Sequence, residues 1–82
     1  MRNQYKFYRE RAGLTQAEAA ARLKEIMPNR RALRSAIAQW ENGYAKPIVD
    51  VLLPLAEVYG CTVDELLRWP KDDEKEVMKN EH

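Results

Sequence analysis

The sequence predicts an all-α fold of five helices in one domain, and three observations carry that expectation. Apolar residues recur at the i, i+3, i+4, i+7 spacing that lines one face of a helix. Thr15-x-x-Glu18 and Thr62-x-x-Glu65 are capping boxes, in which the threonine hydroxyl accepts from the third amide and the glutamate reaches back to the cap amide. Only 3 glycines interrupt 82 residues, which leaves few backbone breaks. Apolar and charged contents of 45% and 33% fit a folded helical chain rather than a disordered one. A chain of this size buries a modest core, so its margin of stability is small.

Each helix follows from its residues. Helix one is expected over 3–12, with Tyr5, Tyr8 and Ala12 on one face and Phe7 on another, and with Gly13 as a left-handed stop. Helix two opens at the first capping box and carries Ala19, Ala20, Leu23 and Met27 as its stripe, with Ile26 at the edge. Pro28 ends it, because proline disfavours helical geometry in the residue before it. Asn29 is a good N-cap for helix three over 30–41, where Leu33, Ala36, Ile37 and Trp40 share a face. Asn42-Gly43 turns the chain. Helix four follows Pro47 and buries Val51, Leu52, Leu55, Val58 and Tyr59. Pro54 within it should kink the helix or push its start toward Asp50, since its nitrogen has no hydrogen to donate. Gly60 closes helix four. The second capping box opens a short helix five with Leu66, Leu67 and Trp69, and Pro70 ends the fold. Residues 70–82 are expected to be a charged, mobile tail in which Val77 and Met78 could touch a partner.

The net charge of +1 says little, but its distribution says more. Residues 1–69 hold 11 basic and 8 acidic residues, and 70–82 hold 3 and 5. Six bases (Arg22, Lys24, Arg30, Arg31, Arg34 and Lys46) lie close together against Glu25 and Glu41 alone. Such a run is either a solvated helix face or the basic footprint that a phosphate backbone requires. The single cysteine, Cys61, has no partner for an internal disulfide and fits a reducing, cytoplasmic setting. Its simplest role is that of a small core hydrophobe. Neither a membrane-spanning apolar run nor a signal-peptide pattern is present, so the reading is a soluble cytoplasmic protein with no membrane partner.

Gly13-Leu14-Thr15-Gln16, Trp40-Glu41-Asn42-Gly43, Lys46-Pro47 and Asp64-Glu65-Leu66-Leu67, taken in that order, resemble the Cro and lambda-repressor type (XRE-like) helix-turn-helix family over residues 5–67. The resemblance implies a DNA-binding domain over 1–69 in which helix three lies in the major groove and helix two crosses the backbone. Carried over residue by residue, it implies that Gln16 bonds a phosphate at the start of helix two. It implies that Arg34, Ser35 and Gln39 face bases, Arg34 suiting guanine O6 and N7, and Gln39 suiting adenine N6 and N7. Ile37 and Trp40 become core anchors. Lys46, with the backbone of residues 42–44, would hold phosphate without reading sequence. Arg9 and Glu41 match a family pair that forms a buried salt bridge between helices one and three, and such charges must pair because isolated burial is costly.

The chain departs from the family pattern in one respect. Leu23 to Trp40 spans 17 steps, where the resemblance implies about ten with a connecting turn of three or four residues. The excess of about seven residues is two turns at about 3.6 residues each. The expectation is an elongated helix-turn-helix, with helices two and three each about one turn longer and Leu33 packed on Ile26 or Met27. Arg30 and Arg31 would then sit on the added turn of helix three, either touching DNA, mostly at phosphate, or solvated. Cations there oppose the helix dipole, which points toward an anionic partner.

An enzyme is not expected. His82 is the one histidine and lies at the end of the sequence, Cys61 has no base beside it in sequence, and neither a phosphate-binding glycine loop nor a Cys–His metal spacing appears. No cofactor is implied. The expected function is a transcriptional regulator, most simply a repressor, that binds a two-fold symmetric double-stranded DNA site as a homodimer. Helix five with Leu67 and Trp69, or the tail, is the candidate dimer surface. The alternative is an antitoxin or protein-interaction module on the same fold, bound to a partner toxin or another protein.

Overall fold

The computed structural model describes residues 3–68. They form five helices and no strand: α1 Gln4–Arg11, α2 Gln16–Ile26, α3 Leu33–Glu41, α4 Val49–Tyr59 and α5 Val63–Leu66. The described residues are therefore all-α with five helices, as their periodicity implies. The tail expected at 70–82, and Trp69, lie outside the described residues.

α1 begins at Asn3, which does two jobs. Its Oδ1 accepts from the Lys6 amide, and its Nδ2 donates to the Trp40 carbonyl at 2.7 Å, tying the start of α1 to the end of α3. Tyr5 and Tyr8 are buried, whereas Ala12, expected beside them, is exposed at the helix end. Gly13 takes a φ of 76°, and the amides of Gly13 and Leu14 fold back onto the carbonyls of Glu10 and Arg9. Arg11 lies over the Tyr8 ring at 4.7 Å and donates to the Gly60 carbonyl, fastening α1 to the end of α4. Gln4 reaches the Leu66 carbonyl in α5.

Both capping boxes are complete, at Thr15–Glu18 and at Thr62–Glu65. α2 buries Ala19 and Leu23 fully, and it packs on α3 and α4. Alanine at position 19 lets another helix approach closely, since no side chain beyond Cβ intervenes.

The elongated motif is only half present. α2 does continue past Lys24 to Ile26, but α3 starts at Leu33 rather than Arg30. Residues 27–32 form a connecting loop that absorbs the rest of the excess, so Arg30 and Arg31 sit on the loop and not on a helix. Asn29 is not the cap. Ala32 stands at that position in a left-handed conformation, with φ 56° and no side-chain capping bond. The physical reason lies in the residues. Pro28 breaks α2, two arginines oppose the dipole at a helix start, and the apolar face of α3 begins only at Leu33, which is buried with Ile37 and Trp40.

α4 continues without interruption through Pro54 and starts at Val49, beside Asp50 where the proline was expected to push it. The proline removes one hydrogen bond, to the carbonyl of Asp50. Asp50 is exposed, so water can satisfy that carbonyl. Gly60 ends α4 at φ 68°. Val51, Leu52, Leu55 and Tyr59 are buried, and Val58 is half-buried. With Tyr5, Tyr8, Leu23, Ile37 and Trp40 they make one core, capped by Leu66 from α5. Among the described residues, no helix is long and apolar enough to cross a membrane.

Candidate nucleic-acid interface

α3 is two-sided. Leu33, Ile37, Trp40 and Glu41 are buried, while Arg34, Ser35 and Gln39 are exposed. The spacing explains the split: 33, 37 and 40 fall on one face, and 34, 35 and 39 fall away from it. Arg34 and Ser35 lie in the first turn and Gln39 one turn later, so the polar groups run along the outer side of the helix. Trp40 is fixed by Tyr5, whose ring lies 6.5 Å away, and by the bond from Asn3 to its carbonyl. The outer face is thus carried on a helix anchored in the core.

Behind α3 lies a buried polar network. Arg9 meets Glu41 with two bonds, Nε to Oε2 at 2.6 Å and Nη2 to Oε1 at 3.0 Å, a planar fork matched to a carboxylate. The Arg9 and Glu41 side chains are 10% and 3% exposed, so the pair is buried. The third guanidinium nitrogen donates to the Leu14 carbonyl at 2.8 Å, which locks the turn before α2. The hydrogen bond to Glu41 raises the pKa of Arg9 against the opposing effect of burial. Close by, the Tyr59 hydroxyl is buried without a hydrogen-bond partner. Burial pushes its pKa up, with the negative charge of Glu41 acting in the same direction.

Gln16 belongs to this network. Its Nε2 donates to Glu41 Oε1 at 3.1 Å, so the side chain is turned toward the end of α3 and is half-buried. The amide keeps its second hydrogen for an outside acceptor. The loop after α3 differs from expectation. The amides of Asn42, Gly43, Tyr44 and Ala45 all donate to carbonyls within 38–40. None is left for a phosphate, and the exposed side chains of this loop include Tyr44 and Lys46.

Arg31 is exposed on the connecting loop and Arg30 is half-buried there, its amide bonded to the Met27 carbonyl. Lys24 reaches across from α2 and donates to the Arg30 carbonyl. In sequence Lys24 stood out as one base of a run and as the position where the family resemblance would place the turn. Its position opposite the loop required the turn to be placed correctly. Cys61 sits half-buried at the α4–α5 corner, where burial pushes its thiol up to about 11. Among the described residues, no cluster of histidine, cysteine and carboxylate side chains is arranged to hold a metal.

Two helices joined by a loop, the second presenting an arginine, a serine and a glutamine outward from a buried anchor, define a helix-turn-helix module. A family model described as a helix-turn-helix domain matches residues 6–69. The chain belongs to that family, which consists of DNA-binding regulators in general and is typically non-enzymatic. Comparison with curated proteins and with solved structures gave no match.

Proposed function

We propose that the chain is a sequence-specific regulator, a repressor acting in the cytoplasm, that reads the major groove of double-stranded DNA with α3. The observation that carries the reading is the outward set Arg34, Ser35 and Gln39 on a helix whose other face is locked in the core. Those side chains match the donor and acceptor patterns of base edges. Gln16, Arg30, Arg31 and Lys46 are assigned to phosphate, where contacts position the protein without reading sequence. One module makes few base contacts, so a homodimer on a two-fold site supplies the affinity a regulator needs. Leu67, which is 60% exposed after α5, is assigned to its dimer surface.

The test is selection from a randomised duplex pool followed by sequencing of the retained DNA. A palindromic consensus is expected. Arg34→Ala and Gln39→Ala should each relax it at a defined position, at a cost of roughly 1–3 kcal/mol against the preferred base. Enrichment unchanged by either variant would remove α3 as the reading element.

A second reading has an observation of its own. Tyr44, Ile48, Val49 and Leu53 are large, apolar and more than half exposed. A protein partner such as a toxin would cover that kind of surface. Absence of any enriched DNA, with a partner protein bound at α4, would favour the antitoxin or interaction-module reading.

A further inference from the structure

Between α2 and the start of α3 runs a groove of about 310 Å³. Lys24, Arg30 and Arg34 line it together with the small residues Ala17, Ala20 and Ala21, and no carboxylate does. The neighbouring groove under the connecting loop differs, because there Arg30 is accompanied by Asp50. The ion pairs Arg9–Glu41 and Arg68–Asp64 do not involve the three cations of the groove. Arg30 is moreover half-buried. Three basic residues thus line one groove whose lining holds no carboxylate, so an anion seated there meets positive charge and no acidic neighbour. The Lys24 ammonium is held at the groove by its bond to the Arg30 carbonyl, and it keeps two further donors free.

We infer that this groove seats one phosphate of the DNA backbone, gripped by Lys24 and Arg30 while Arg34, at the groove's edge on α3, reaches a base in the major groove. The inference rests on the DNA-binding reading and adds to it a contact on α2 that the motif pattern does not contain. Alanines at 17 and 21, both exposed, let the sugar-phosphate chain approach the α2 backbone closely. A contact of this kind carries no sequence information. It fixes the register of α3 and adds to the salt dependence of binding.

The experiment is anisotropy titration of the full chain with a fluorescent duplex over a series of salt concentrations. The variants are Lys24→Met, Ala21→Glu and Ala21→Gln, each checked for an unchanged thermal melt. Glutamate and glutamine have the same shape and differ in charge, so the pair separates electrostatics from bulk. Ala21→Glu should weaken binding to every duplex by about tenfold or more, Ala21→Gln by less than about threefold, and Lys24→Met, which removes one phosphate contact per protomer, should lower the slope of log K against log salt by about two per bound dimer. Equal effects of glutamate and glutamine, or an unchanged slope for Lys24→Met while the wild-type chain binds well, would overturn the groove assignment and leave DNA binding by α3 standing. A wild-type chain that binds no duplex would overturn both. Competition of the duplex by a free nucleoside triphosphate at the same concentration in wild type and Lys24→Met would show that Lys24 seats no phosphate, and would overturn the assignment as well.

Discussion

Replacing Arg9 with methionine tests the buried network that holds α1 to the end of α3. The substitution keeps most of the side-chain length and removes three hydrogen bonds, two to Glu41 and one to the Leu14 carbonyl. Glu41 is then left with the single bond from Gln16 at 3.1 Å, on a side chain that is 3% exposed. An uncompensated buried charge of this kind costs about 3–5 kcal/mol. Against a total of about 5–15 kcal/mol for a typical domain, that is a large share. At about 4–8 °C per kcal/mol for a domain of this length, Tm should fall by at least about 12 °C. Urea unfolding followed by far-UV circular dichroism measures the loss. The decisive comparison is a cycle with Glu41→Met and the double variant. If the damage comes from the stranded carboxylate, Arg9→Met/Glu41→Met should be more stable than Arg9→Met alone by about 1 kcal/mol or more, because no charge remains buried. A cost below about 1 kcal/mol for Arg9→Met would place the pair among solvent-screened surface bridges. A double variant no better than the single would show that packing rather than charge governs the site. Either result would refute the argument.

Three further outcomes follow from the same structure. Tyr59→Phe should raise stability by about 1 kcal/mol in urea unfolding, because it removes a buried hydroxyl that has no partner; a loss of stability would show that the hydroxyl is satisfied. Ala32→Gly should be neutral or stabilising by up to about 1 kcal/mol, since alanine at φ 56° is in the left-handed region that glycine enters freely. A clear destabilisation would mean that the loop does not hold that geometry. The Cys61 thiol should ionise near 11 rather than near 9 when followed by ultraviolet absorbance. Because the fold favours the neutral thiol, the stability this group contributes is complete below about 9 and declines as the pH rises toward about 11; alkylation at the rate of a free thiol at neutral pH would contradict its burial.

What could be read in the sequence was mostly local. The capping boxes at Thr15 and Thr62 were legible because each closes within four residues, with no help from the rest of the fold. The buried face of α3 was legible because Leu33, Ile37 and Trp40 keep the helical period. The start of α3 was not. Asn29 has the chemistry of a cap, but the dipole opposes Arg30 and Arg31, and the actual cap is an alanine in a conformation that alanine rarely adopts. Nothing in that residue type announces it. The roles of polar groups were harder still, because they depend on neighbours far along the chain. Gln16 turns toward Glu41 only once α1, α2 and α3 are assembled. The amides of residues 42–45 are consumed by the end of α3 only because the chain turns back on Gln39. Ala12 misled for a simpler reason: it lies just past the end of a short helix, where the face it would share with Tyr5 and Tyr8 has already run out.

The most direct test of the central claim is the salt dependence of binding between the full chain and the duplex enriched by selection. The account predicts a linear fall of log K with log salt. With about six phosphate contacts per bound dimer, affinity should drop by about a thousandfold between 50 and 200 mM salt. A scrambled duplex should bind more weakly and show a similar slope. Affinity that is indifferent to salt, or equal for the enriched and scrambled duplexes, would contradict sequence-specific DNA binding by this helix-turn-helix.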